Sequence, residues 1–279
     1  MPGADSSPVI LHVPHSSRVV PDEVRRELLL DERALEEELD LITDTDTAGI
    51  AAVAAARSAL TPWRFVNERS RLVVDPERFP DEREGMRSVG MGAVYTRTTG
   101  GAPLRPAGYD DGPLLARYFH PYAEAMTRAV ADRLAATGRA VVIDVHSYPS
   151  RALPYELHGT GERPPICLGT DPFHTPDALV AAARKVFARF GGTALDTPFA
   201  GTYVPLRHYG RDRAVSALMV EIRRDLYTAE PGGPAGPGRE ALGEALAELV
   251  DGLADGPVDG SMDGPVDGRV GGGPEVTGR

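Results

Sequence analysis

Ala140-Val141-Val142-Ile143-Asp144-Val145-His146-Ser147 is the stretch that decides the fold. Its first four residues are apolar and largely β-branched, the pattern of a buried strand. The strand then delivers an acid and an imidazole at i and i+2, which face the same side of an extended chain. Two other stretches share this build. Val9-Ile10-Leu11-His12-Val13 runs into Pro14-His15-Ser16, and Ala217-Leu218-Met219-Val220 runs into Glu221-Ile222-Arg223. Three buried strands, each ending in a metal- or proton-handling residue, imply one site at the carboxyl edge of one sheet. Open α/β sheets take their ligands in that crevice. His, His and a carboxylate are the ligand types of a catalytic zinc, so the residues point to a metal-dependent hydrolase.

Outward from these strands, strand-like and helix-like segments alternate, which predicts an α/β sandwich. Helical patterns cover 22–39 in one or two pieces, then 48–60, 113–137, 176–190 and 240–253. Gly138 is placed to end the third of these. Short strands are expected at Trp63–Val66, Leu72–Val74 and Ile166–Leu168. The Gly-, Pro- and Arg-rich segment 76–113 has no clean period, and an irregular stretch of that length is usually functional or mobile. The polar run Thr43-Asp44-Thr45-Asp46-Thr47 also suits helix caps. Residues 1–253 are expected to form one catalytic domain. Beyond them Asp255-Gly256-Pro257-Val258-Asp259-Gly260 is nearly repeated at 263–268, and 254–279 reads as a disordered acidic tail.

Composition narrows the class. The chain has 279 residues, a formal net charge of -11 and no dense basic stripe, which argues against a nucleic-acid partner. Lys185 is its only lysine. The lone Cys167 excludes a disulfide framework and suits a cytoplasmic protein. No stretch has the roughly 18 uninterrupted apolar residues that a membrane span requires. There is no His-Glu-x-x-His helix, Cys-x-x-Cys pair, Gly-x-Gly-x-x-Gly, P-loop or Gly-x-Ser-x-Gly elbow. Tyr148 stands two residues after His146, where a two-metal ureohydrolase would need a bridging Asp, so a binuclear arginase-like centre is disfavoured.

Several segments, in order, then match one family. Val13-Pro14-His15-Ser16-Ser17 resembles the Pro-His-(Ser/Ala)-Gly opening of the N-formylglutamate amidohydrolases. Asp44-Thr45-Asp46 is similar to their Asp-Thr-Asp, and Ser70-Arg71-Leu72-Val73-Val74-Asp75-Pro76-Glu77-Arg78 to their Ser-Arg-(apolar)3-Asp-Leu-Asn-Arg. His120-Pro121-Tyr122 resembles a Pro-Tyr pair on their central helix. Asp144-Val145-His146-Ser147 resembles their Asp-x-His-Ser. Pro198-Phe199-Ala200-Gly201-Thr202-Tyr203, then Arg207-His208-Tyr209-Gly210, resemble Phe-Lys-Gly-Gly and Arg-His-Tyr-Gly. Glu221 with Tyr227 is similar to a late Glu and Tyr. The likeness spans about 9–230. Ser17 replaces a Gly, Pro76-Glu77 replace Leu-Asn, and Thr202 replaces a Gly.

This resemblance implies a three-layer α/β/α sandwich with a mixed sheet, phosphorylase/hydrolase-like and related to zinc carboxypeptidases. It implies one divalent ion, zinc, held by His15, Asp46 and His146, with Asp46 expected ahead of Asp44. Glu221 would be the general base and Arg207 would polarise the scissile carbonyl. Arg71, Arg78 and His208 would bind the substrate, the arginines through bidentate contact with a carboxylate. Asp144 would orient or tune a ligand. The implied reaction removes a formyl or other small acyl group from an N-acyl amino acid such as N-formylglutamate. Within enzymes the alternative is a different N-acyl amino acid or a small peptide. From another class, the alternative is a catalytically silent binding homologue.

Overall fold

The computed structural model describes residues 1–156, 161 and 163–254. Residues 255–279, nearly all of the expected tail, lie outside the described residues. Six strands form one sheet: β1 (Val9–Val13), β2 (Trp63–Val66), β3 (Ala140–Tyr148), β4 (Ile166–Gly169), β5 (Thr193–Leu195) and β6 (Val215–Arg223). Their order across the sheet is β2-β1-β3-β6-β4-β5. All neighbours run parallel except β4, which is antiparallel to β6, so the sheet is mixed as expected.

Among the described residues seven helices accompany it: α1 (Asp22–Arg25), α2 (Glu32–Ile42), α3 (Thr47–Arg57), α4 (Gly112–Leu114), α5 (His120–Thr137), α6 (Asp177–Phe187) and α7 (Gly238–Ala254). Asp31 caps α2 by accepting from Ala34 N at 2.8 Å, which satisfies one of the orphan donors of the first turn. A π-helical stretch, Leu115–Phe119, joins α4 to α5, and Gly138, with φ 76°, ends α5 in the left-handed conformation.

Strand alternation sorts the core into two layers. Val9, Leu11, Val141, Ile143, Val145, Leu218 and Val220 pack under α3, α6 and α7. Ile10, Val142 and Ala217 face the other way and meet Met126 and Val130 of α5. This is the expected α/β/α sandwich. Toward the carboxyl end, the α5-facing set stops being apolar. Ile10 is followed by His12, Val142 by Asp144 and His146, and Ala217, past Met219, by Glu221. The same period-2 alternation that builds the core therefore carries the chemistry to the sheet edge.

One expectation needs correction. Leu72–Val74 is not a strand. Its residues are buried, but Val73 N bonds within a turn to Ser70 O, and the Leu72 carbonyl accepts from the Arg105 guanidinium. Burial without a neighbouring strand accounts for the apolar run. Conversely, β5 leaves no signal in the sequence, because Thr193-Ala194-Leu195 is too short to show a period. The irregular 76–113 segment holds a 3-10 turn at Gly85–Val89 and packs Met91, Tyr95 and Leu104 against Leu35, Leu39 and Ile42 of α2.

Candidate active site

β1 and β3 are parallel neighbours, as are β3 and β6, and their register pairs His12 with Asp144 and His146 with Glu221. Pro14 ends β1, and Asn67 holds the turn beyond it by bonding Pro14 O through its side chain and Val13 O through its backbone. His15 is thereby turned toward β3. His15 Nδ1 lies 3.3 Å from His146 Nδ1. Asp44 Oδ2 lies 3.0 Å from His146 Nδ1 and 3.6 Å from His15 Nδ1.

The loop after α2 delivers Asp44. Its N–H donates to His15 O at 3.0 Å, and Tyr227 Oη donates to the neighbouring Thr45 carbonyl at 2.6 Å. Arg224, buried, reaches Asp44 Oδ1 at 3.4 Å and also donates to Leu41 O and to Ser147 Oγ. Asp46, the residue expected to be a ligand, sits elsewhere. It occupies the N-cap of α3 with φ 60°, is half-buried, and faces Arg239 at 3.4 Å. That left-handed residue reverses the chain between the two aspartates and sends only Asp44 inward. The structure thus brings together His15, His146 and Asp44, and leaves Asp46 at the surface of α3.

Carboxylates meet the far side of both imidazoles. His15 Nε2 is 2.9 Å from Asp75 Oδ1. His146 Nε2 is 3.0 Å from Asp144 Oδ1 and 3.2 Å from Glu77 Oε2, though neither contact has hydrogen-bond alignment. Asp144 also contacts His12 Nδ1 at 2.9 Å and accepts from Tyr203 N at 3.2 Å. Asp75 receives Arg71 at 2.7 Å and the Tyr95 hydroxyl.

The electrostatics follow from this packing. Burial alone would push Asp44 up, yet His146 and His15 hold its carboxyl well below the usual range. Burial opposes the ionised forms of Asp75 and Asp144 as well, and Arg71 for the first and His146 for the second pull them far down. Burial would lower His146, but the charges of Asp144 and Glu77 raise it well above an ordinary imidazole. Glu221 goes the other way. Burial pushes it up to about 7 against the pull of His146, with Asp44 adding to the rise. Its Oε2 is buried without a hydrogen-bond partner.

Among the described residues three groups could hold a metal ion: His15, Asp44 and His146; His12, Glu77 and Asp144; and His15, Asp75 and Glu77. The first fits a divalent ion best. Two ring nitrogens and a carboxylate oxygen converge there, and His15 turns its other nitrogen to Asp75, the arrangement that orients a ligating imidazole. In the second group His12 is already held between Asp144 and the Tyr122 hydroxyl.

These residues open into a cavity of about 930 Å³, walled by the sheet edge, 76–79, 83–86, 198–204 and Leu206, Arg207 and Tyr209. Arg71, Arg78 and Arg207 line it. Arg71 is mostly engaged, by Asp75 and Tyr95. Arg78 is held more loosely, 3.6 Å from Asp75 and 3.7 Å from Glu84. Arg207 is exposed. His208 is not in the cavity wall, because its Nδ1 turns to Asp212 at 3.1 Å, one helical-type turn away in sequence. Sequence reasoning missed the roles of Arg224, Asp75 and Glu77. Their signal was present in the Ser-Arg-x-x-x-Asp-Pro-Glu-Arg stretch and in Arg-Arg-Asp after Glu221, but which side chain turns inward is a tertiary fact.

Comparison with known proteins adds to this geometry. The family model for N-formylglutamate amidohydrolase matches residues 7–228. The crystal structure of N-formylglutamate amidohydrolase from Ralstonia eutropha JMP134 is similar at a TM-score of 0.73 and 21% identity, over 89% of this chain and 93% of that one. A gene product from Agrobacterium tumefaciens is similar at a TM-score of 0.66 and 19% identity, over 91% and 93% of the two chains. At those identities the two structures speak for the fold. No curated protein matches the sequence.

Proposed function

The chain belongs to the N-formylglutamate amidohydrolase family, and from that premise we propose that it is a zinc-dependent amidohydrolase releasing a formyl or other small acyl group from an N-acyl amino acid. The observation that carries the metal dependence is the convergence of His15 Nδ1, His146 Nδ1 and Asp44 Oδ2, all buried, beside Glu221. His15, His146 and Asp44 would hold one divalent ion, which when bound lowers the pKa of a water toward about 7 and polarises the amide carbonyl.

The chain's own residues supply the rest. Glu221 takes the proton from the attacking water at its unpartnered Oε2 and passes it to the nitrogen of the leaving amine. The amide C–N bond breaks, the water oxygen stays on the acyl carbon, and the products are formate or a small acid and an amino acid. Asp75 holds the His15 imidazole through its far nitrogen, and Asp144 lies beside that of His146. Arg71 serves as the brace of Asp75, and Arg78 faces the substrate. The catalytic unit is taken as 1–253. No helix among the described residues is long and apolar enough to cross a membrane; a cytoplasmic location is part of the same proposal, in keeping with the single buried Cys167.

The test is metal analysis of the purified protein together with steady-state hydrolysis of a panel of N-formyl and N-acetyl amino acids. About one divalent ion per chain, and turnover that a chelator abolishes and zinc restores, are expected. Turnover undiminished after complete metal removal would overturn the metal-dependent reading. Binding of the panel without turnover under any divalent metal would establish a silent binding homologue.

A further inference from the structure

His174 lies outside every segment that suggested the site, yet it is 1% exposed and both of its ring nitrogens are engaged. Its Nδ1 is 2.7 Å from Val215 O. A carbonyl oxygen only accepts, so Nδ1 carries the proton and Nε2 is left as an acceptor. The Gly210 N–H donates to that Nε2 at 2.8 Å. The ring of Tyr209 stacks on the imidazole, with centroids 5.8 Å apart and planes 24° apart. One imidazole thus joins the first residue of β6 to the run that carries Arg207.

The strand side of this junction is well fixed. Ala217 N donates to His174 O at 2.8 Å, and Thr175 Oγ1 donates to Ala217 O at 2.7 Å. Asp171 Oδ1 accepts from both Phe173 N and His174 N, which closes the turn that presents the imidazole. The same strand carries Glu221 farther along. The other side is held by less. Leu206, Arg207 and Tyr209 line the cavity, on a turn in which Pro205 O accepts from His208 N and Tyr209 N. Among the described residues, the backbone of 204–211 makes one hydrogen bond to a side chain, from Gly210 to His174. Gly210 is exposed, so its amide owes its shelter from water to that bond.

Resting on the amidohydrolase reading, we infer that His174 is a positioning residue: as the Nδ1–H tautomer it fastens the wall formed by Leu206, Arg207 and Tyr209 to the strand that carries Glu221, and so sets where Arg207 meets the substrate. His174 does not itself line the cavity. Its loss should therefore weaken substrate binding and spare the chemical step, the signature of an interaction made equally in ground and transition states.

Two amide substitutions separate the two bonds. His174→Asn can still donate to Val215 O but cannot reach Gly210, whereas His174→Gln can still accept from Gly210. With N-formylglutamate as substrate, His174→Asn should raise KM about tenfold, the worth of one hydrogen bond, with kcat and zinc content nearly unchanged. His174→Gln should stay near the parent. In an Arg207→Ala background His174→Asn should add nothing, because both changes act on one contact. Hydrogen exchange of 204–211 needs no turnover: the Gly210 amide should be protected in the parent and in His174→Gln, and exposed in His174→Asn. A Gly210 amide that exchanges freely in the parent overturns the inference, as does an unchanged KM in His174→Asn. An equal fall of kcat and Tm in both variants also overturns it, by marking a merely structural histidine. Absent turnover with every metal tells against the amidohydrolase reading, and the exchange pattern then decides the fastening by itself.

Discussion

At the scale of single residues, Asp44 is enclosed by two imidazoles and two guanidinium groups, and Asp46, two positions on, looks out at Arg239. In an extended chain both would face one side, and that is why an Asp-Thr-Asp run leaves the ligand undecided on paper. The left-handed backbone at Asp46 separates them, and no local pattern announces it. Asp44→Asn should therefore cost at least the about 10–100-fold in metal affinity that loss of even an outer partner brings. Asp46→Asn should keep a full equivalent of metal. Metal analysis of the two variants decides the matter, and the reverse result would return the ligand role to Asp46. Glu221 tests the chemistry. Glu221→Gln preserves shape but removes basicity, so turnover should fall about 10²–10⁴-fold while metal content and substrate affinity hold. If the metal is lost instead, Glu221 is a ligand.

At the scale of elements, what was legible is what alternation encodes. The three apolar runs ending in His15, His146 and Glu221 are real strand ends on one sheet edge, because a buried parallel strand must be apolar on both faces until it leaves the core. Leu72–Val74 carries the same apolar signal yet is a turn, since burial and strand pairing are separate properties. Arg207 and His208 are adjacent in sequence and part company in space, one lining the cavity and the other paired with Asp212. Helix packing holds a sharper constraint. α7 crosses α3 at Gly243, where an added Cβ would stand 2.4 Å from Val53 Cγ1 and 3.1 Å from Ile50 O. Gly243→Ala should destabilise by about 1–3 kcal/mol through overpacking, even though alanine is the better helix former by about 1 kcal/mol. Adding Val53→Ala should recover part of the loss, and chemical denaturation of the single and double variants measures both. A Gly243→Ala protein more stable than the parent would mean that the two helices separate at little cost.

At the scale of the whole molecule, the sheet gathers Asp44, Asp75, Asp144 and Glu221 into its interior in a chain whose formal charge is already -11. Buried charges are tolerated only when paired. Here the partners are Arg71, Arg224, the two imidazoles and, on the proposed reading, one divalent ion. An ion that binds only the folded chain stabilises it by RT ln(1 + [L]/Kd), about 2.7 kcal/mol when the free ion is a hundredfold above Kd. For a domain of this size that corresponds to about 5–10 °C in Tm. Thermal melts of the full chain with zinc and with a strong chelator should differ by this amount, and the gap should widen with zinc concentration. Asp44→Asn should melt at the same temperature in both solutions, because the site that links ion to fold is gone. A parent protein indifferent to chelation would show that the arginines and imidazoles alone balance the buried acids, and that His15, His146 and Asp44 close on one another with no ion between them.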